Sequence, residues 1–236
     1  GACDDKGQVY MHVKALEMML ENNDLPCNVK VIIEGEEEVG SVNLGDFLIA
    51  NKDKLKADVI LISDTGIINN ETPCITNGLR GLCYMEVEVL GPNRDLHSGI
   101  YGGGVDNPLN VLCKLIGALK DDNGHITIEG FYDDVIPLTA SEKAALEQVS
   151  SVDTQMKNEL GIGREEMPGV MLGEAINMPS LNINGMQSGN VGKMASNQIP
   201  TTAEAVLDLR LVPGNDWQRQ QQKVIDHIRR QGFFVT

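Results

Sequence analysis

The chain has 236 residues, 42% of them hydrophobic, but only four Phe, four Tyr and one Trp, so aliphatic side chains must build its interior. That length holds one large domain or two ordinary ones. A net charge of −15 argues against nucleic acid or anionic membrane as a partner, since either would repel it.

No apolar run approaches the roughly 20 residues that a membrane span needs, and no signal peptide is visible. Cys3, Cys27, Cys74, Cys83 and Cys113 are scattered, odd in number and without a C-x-x-C spacing. Buried free thiols in a reducing cytoplasm explain them better than a disulfide frame, so a cytoplasmic location is expected. Gly1-Ala2-Cys3 carries no Met and runs straight into Asp4-Asp5-Lys6-Gly7, which reads as an internal start and hence as a fragment.

In chain order, Val9, Val13, Leu16 and Leu20 have helical spacing and predict a helix over 8–22, with Asp4 and Asp5 just ahead of its positive end. Val29-Lys30-Val31-Ile32-Ile33 reads as a buried strand running into Glu36-Glu37-Glu38, closed by Val39-Gly40-Ser41. A second helix is expected over about 44–54, then a strand at Val59-Ile60-Leu61-Ile62 that closes in Ser63-Asp64. Helix, strand, helix, strand with near-continuous apolar strands predicts a parallel sheet covered on both faces, in which ligands gather beyond the carboxyl ends of the strands. Glu37, Glu38 and Asp64 fall at such ends. Asp4 joins them if residues 1–3 are the tail of a strand.

After Asn77-Gly78 the pattern changes. Cys83, Met85, Val87 and Val89 alternate with polar residues, and so does the stretch 203–211. Both predict antiparallel strands with one face buried. Asn107-Pro108 starts a helix that carries Leu109, Leu112, Leu115, Ile116 and Leu119 inward. Thr139-Ala140-Ser141-Glu142 has capping-box spacing. A last helix over 215–230 places Trp217, Val224, Ile225 and Ile228 on its apolar face, with Gly232 as its stop. The segment 150–178 shows little periodicity and receives no assignment. Two domains follow, 1–77 of α/β type and 78–236 of α+β type.

The acidic run is either a solvated loop or the rim of a cation site, and the carboxylates at other strand ends favour the second reading. Asp4, Glu38 and Asp64 are hard oxygen ligands. Two cations about 3.5–4 Å apart would activate a water, and Glu37 could serve as general base. Oxygen ligands alone suggest Mg²⁺, Mn²⁺ or Ca²⁺, because zinc usually takes some nitrogen or sulfur. His97 is a loop histidine, structural or functional, and Arg210 is either a surface residue or a carboxylate-binding fork. Gly102-Gly103-Gly104 lacks a P-loop context and reads as a connector.

Five ordered motifs then carry a resemblance: Gly1-Ala2-Cys3-Asp4-Asp5-Lys6-Gly7, Glu34-Gly35-Glu36-Glu37-Glu38-Val39-Gly40-Ser41, Ile62-Ser63-Asp64, Asp95-Leu96-His97-Ser98-Gly99 and Leu209-Arg210-Leu211-Val212-Pro213. The chain resembles the dinuclear zinc metallopeptidases that include carnosine-type dipeptidases, aminoacylases and glutamate carboxypeptidases. It stands nearest the carnosine-type branch through Thr76-Asn77-Gly78-Leu79-Arg80-Gly81 and Ile100-Tyr101-Gly102-Gly103. The resemblance implies a partial metal-binding catalytic domain over 1–77 and a lid and dimerisation domain over 78–236. It implies hydrolysis of a dipeptide, or alternatively of an N-acyl amino acid, by two zinc ions, with manganese as an option.

In this resemblance Asp4 bridges the two ions through a residue whose following peptide bond is commonly cis. Glu38 and Asp64 hold one ion each, and Glu37 is the base. His97 would reach from the lid into the partner subunit's site to stabilise the oxyanion, and Asn197 and Arg210 would contact substrate. A homodimer through the lid is implied. The family's two zinc-binding histidines have no counterpart here, so this stretch alone is expected to bind zinc weakly and be inactive. The competing expectation is a non-catalytic piece that retains only lid-mediated dimerisation.

Overall fold

The computed structural model describes residues 1–67, 75–76, 78–148 and 150–236. Cys74 and Asn77, the latter within the motif spanning 76–81, lie outside the described residues. The chain divides into two compact units, Gly1–Thr76 and Asn77–Thr236.

In the first unit, Ala2–Lys6 form an irregular turn rather than the tail of a strand, with non-helical backbone at Asp4 and Asp5. It leads directly into helix α1, Gly7–Glu21. The expected second helix is two: α2, Leu44–Ala50, and α3, Lys52–Leu55, broken at Asn51, whose side-chain amide donates to the Phe47 carbonyl and ends the first. The two apolar runs at 29–33 and 59–62 form no ladder, so the expected parallel sheet is not built among the described residues. A strand is held by hydrogen bonds to a neighbouring strand, and neither run meets one. Their apolar side chains are accordingly exposed, from Val29 at 45% to Ile60 at 81%.

The second unit carries the buried core. Its elements are β1, Gly81–Leu90; β2, Leu96–His97; α4, Ser98–Tyr101; α5, Pro108–Gly117; α6, Ala140–Gln148; α7, Ser150–Glu159; α8, Leu172–Ala175; β3, Ser180–Gln187; β4, Gln198–Ile199; β5, Thr202–Leu211; and α9, Trp217–Arg230. The main sheet is antiparallel in the order β1–β5–β3, and β2 pairs with β4 as a small ribbon. Odd-numbered residues of β5, from Ala203 to Leu211, are buried together with Cys83 and Met85 of β1. Helices α5 and α9 cover this face through Leu112, Leu115, Val224 and Ile228. Strict alternation in two paired strands leaves one apolar face, and two amphipathic helices close it.

The caps follow the sequence. Asn107 accepts from the Leu109 amide at 2.9 Å, with Pro108 in the first turn of α5. Thr139 and Glu142 form the reciprocal capping box of α6, the Thr139 amide donating to the Glu142 carboxylate at 2.7 Å and the Glu142 amide to the Thr139 hydroxyl at 3.3 Å. Asp216 caps α9 by accepting from the Arg219 amide at 2.9 Å. Trp217 departs from its expected place: at the first turn of α9 it is 53% exposed. The fully buried Gln220 lies on the inner face instead, donating to the Phe131 carbonyl at 3.0 Å.

The unassigned stretch contains α7 and α8. Asp153 joins them: its carboxylate lies 2.6 Å from the Lys157 ammonium within α7 and accepts from the Gly173 amide of α8 at 3.1 Å, while Lys157 also stands 2.7 Å from Glu165 in the connecting segment. No helix among the described residues is long and apolar enough to cross a membrane.

Candidate active site

In the first unit the acidic residues are gathered by backbone contacts. The Gln8 side-chain amide donates both to the Cys3 carbonyl at 2.8 Å and to the Thr65 carbonyl at 2.9 Å. One side chain therefore ties the turn that carries Asp4 to the segment that carries Asp64. The Asp4–Asp5 peptide bond is cis. Glu37 and Glu38 lie in a short 3₁₀ turn, Glu37–Val39, that ends at Gly40 with φ +96°, a left-handed conformation suited to glycine. Glu36, the first acid of the run, holds the loop: its carboxylate accepts from the Asn43 side chain at 2.8 Å, and its carbonyl from the Ser41 amide at 2.9 Å.

Glu38 is the electrostatic centre of this group. The negative charge of Asp4 pushes its carboxyl above the usual range, followed by the charge of Glu37, partial desolvation, a hydrogen bond with Asp4 and the charge of Asp64. Clustered carboxylates of this kind are relieved by a proton or a cation. As a metal site the set is partial. Among the described residues no three His, Cys, Asp or Glu side chains close into a coordinating group, and the acids here offer oxygen alone.

In the second unit, His97 and Asn197 meet across the small ribbon. His97 pairs with Gln198, and the Ser98 amide donates to the Asn197 carbonyl at 2.9 Å. The imidazole Nδ1 accepts from the Gly99 amide at 3.0 Å and caps α4. In the neutral ring the proton then sits on Nε2, which leaves a donor pointing away from the cap. Gly99 has no room for a side chain, since a Cβ there would stand 2.9 Å from the His97 Cε1. Gly102 is tighter still, since a Cβ there would run into the Ser98 carbonyl oxygen. The glycines of this loop thus bring backbone close to backbone around the histidine, beyond serving as a connector.

Arg210 lies on the opposite face of the main sheet from the core. Its Nε is 2.9 Å from the Asp208 Oδ1, and its Nη2 donates to Oδ2 at 3.1 Å. Asp208 is buried at 4% exposure although it occupies the polar register of β5, and it accepts a further bond from the Asn184 side chain at 3.1 Å. Arg80 reaches Ser180, the residue paired with Arg210 across β3, with 3.5 Å between Nη1 and Oγ. The sequence marks Arg210, and Arg80 only as part of the motif spanning 76–81, but neither Asp208 nor Asn184. Alternation puts Asp208 on the wetter face, and nothing in a linear reading signals that its carboxylate is covered.

The chain belongs to the M20 peptidases: residues 77–233, which carry the antiparallel sheet and its two covering helices, match the peptidase dimerisation domain of that family. It is 33% identical over 235 residues to the Cys-Gly metallodipeptidase dug1 of Schizosaccharomyces pombe, covering 98% of this chain and 49% of the relative. To the Beta-Ala-His dipeptidase of Mus musculus it is 34% identical, covering 97% of this chain and 47% of the relative. Among solved structures, an M20 family metallo-carboxypeptidase from Sulfolobus solfataricus, Sso-CP2, superposes with a TM-score of 0.80 at 34% identity, covering 99% of this chain and 54% of that one. The chain therefore spans about half the length of the relatives it matches. Its mixed helices and antiparallel sheet agree with this family's fold.

Proposed function

We propose that the whole protein is a metal-dependent dipeptidase whose metal site is built in part from Asp4, Glu38 and Asp64. The observation that carries this reading is the convergence of Asp4, Glu37 and Asp64 on Glu38, in a chain with one relative named a metallodipeptidase and another named a dipeptidase. Asp4, Glu38 and Asp64 would hold the metal, zinc or manganese, as oxygen ligands. Bound there, a metal pair supplies Lewis-acid polarisation of the amide carbonyl and a water acidic enough to react at neutral pH.

The chain's own residues do the rest. Glu37 takes the proton of the attacking water and passes it to the leaving amine. His97 donates from Nε2 to the oxygen that becomes negative, acting from the lid of the partner subunit in a homodimer. Asn197 orients the substrate, and Arg210 receives its terminal carboxylate. The four described cysteines are free thiols, which suits a reducing compartment, but only Cys83 is buried as expected; Cys3, Cys27 and Cys113 are exposed.

Assay of the whole protein with Zn²⁺ or Mn²⁺ against dipeptides and N-acyl amino acids tests this reading. Dipeptide cleavage is expected to dominate. Glu37→Gln should abolish turnover with metal content unchanged; loss of metal would instead move Glu37 into the ligand set, and retained turnover would remove it from the mechanism.

A further inference from the structure

The sheet face opposite the core holds a charged group larger than Arg210 itself. We propose that Asp208 is a positioning residue that clamps one edge of the Arg210 guanidinium against the sheet, so that the other edge is presented as a preformed fork for the substrate's carboxylate. This rests on the reading of Arg210 as the carboxylate receptor and adds to it the group that aims it.

A guanidinium carries five N–H donors in a plane. Asp208 occupies the Nε and Nη2 side, with Nε 2.9 Å from Oδ1 and Nη2 3.1 Å from Oδ2. The Nε contact is an ion pair off the hydrogen-bonding direction, so the Nη2 bond sets the rotation of the group. One Nη1 hydrogen and the second Nη2 hydrogen stay available on the far edge, and the Arg210 side chain is 41% exposed. That edge is the one that takes a carboxylate in two parallel hydrogen bonds.

Asp208 is itself held, which distinguishes a built clamp from a chance surface pair. Its side chain is only 6% exposed, and Asn184 donates to the same Oδ2 at 3.1 Å. Asn184 is the extra residue of the β-bulge between Ile183 and Gly185, where β3 slips against β5. A bulge re-aims a side chain, and here it brings the amide to Asp208 although the residue paired with Asp208 is Asn182. Arg80 adds a second guanidinium to the cluster. Burial, and then the charge of Arg210, hold it below its ordinary range, while Asp208 works in the opposite direction. Two guanidinium groups against one carboxylate leave one positive charge in excess, in a chain of net charge −15. An incoming carboxylate completes the balance.

The test compares a dipeptide with its C-terminal amide in the whole, metal-loaded protein. The wild type should favour the free acid. Asp208→Asn keeps the shape and loses the clamp's charge, and it should raise KM for the acid about tenfold while sparing kcat and the amide's KM. Asn184→Ala, at an exposed position, should act in the same direction by about threefold. An unchanged acid-to-amide preference in both variants, with Arg210→Gln abolishing it, overturns the clamp and leaves Arg210 as receptor. An unchanged preference in Arg210→Gln as well overturns both. Should Asp208→Asn fail to fold, Asn184→Ala decides alone, read by KM and by freer rotation of the Arg210 Nη2 group in nitrogen-15 spectra; unchanged values refute the proposal.

Discussion

Leu207 sits at the centre of the middle strand, fully buried, paired with Met85 on one side and Ile183 on the other. Replacing it by Ala removes three buried carbons, about 2.4 kcal/mol at about 0.8 kcal/mol each. If a void of about 40 Å³ survives collapse, it adds about 1 kcal/mol, for a total near 3.4 kcal/mol. In a unit of this size that corresponds to a fall in Tm of about 7–14 °C. Equilibrium unfolding in urea followed by Trp217 fluorescence reads it directly, because this is the sole tryptophan and it lies in the same unit. Leu82→Ala is the control. That residue lies on the other face of β1 at 52% exposure, and its loss should cost under about 1 kcal/mol. A Leu207→Ala loss below about 1 kcal/mol, or equal losses at both positions, would refute the assignment of the two faces.

Gly99→Ala should lower kcat/KM at least tenfold, by about the cost of misplacing a catalytic group, because the new Cβ displaces the His97 ring; wild-type activity would show that the loop yields. Thr139→Ala should destabilise α6 by about 1 kcal/mol, visible as faster amide exchange over Ala140–Gln148 and little elsewhere. Hydrogen bonds and charge from Lys223 and Lys157 hold Asp134, Asp153 and Glu165 below the usual carboxylate range, and bonds from Thr139 do the same for Glu142. Their stabilisation is complete above the ordinary value and lost as pH falls through the lowered one, so unfolding of the second unit should set in below about pH 4. Glu38 has the opposite sign. Its raised carboxyl favours the fold below the ordinary value, and that contribution disappears as pH rises through the raised one; pH-dependent carboxyl shifts of Glu38 in carbon-13 spectra check this.

What could be read directly from the residues was whatever repeats with a fixed period. β1 and β5 alternate over most of their length, and α5 and α9 carry aliphatic residues at helical spacing, so each announces its buried face. β3 does not: Ser180-Leu181-Asn182-Ile183 alternates, but the bulge before Gly185 shifts the second half. α7 is held by Lys157 and its two acids rather than by an apolar stripe, which leaves hydrophobic periodicity nothing to detect. Residues 29–33 and 59–62 have the composition of strands, yet composition does not supply the neighbouring backbone that makes a ladder. The acid cluster was legible because charges of one sign recur at the ends of apolar runs. The Asp208 clamp was not, since it depends on a bulge two strands away in sequence order.

The middle strand does two jobs with a repeat of two: Leu207, Leu209 and Leu211 fill the interior, while Asp208 and Arg210 point to the other side. A single inserted or deleted residue anywhere upstream in that strand would turn the leucines outward and bury the ion pair among apolar side chains. Evolution can therefore trim or extend this strand only in pairs, and a lineage that lost its register would forfeit core and charged face in one step.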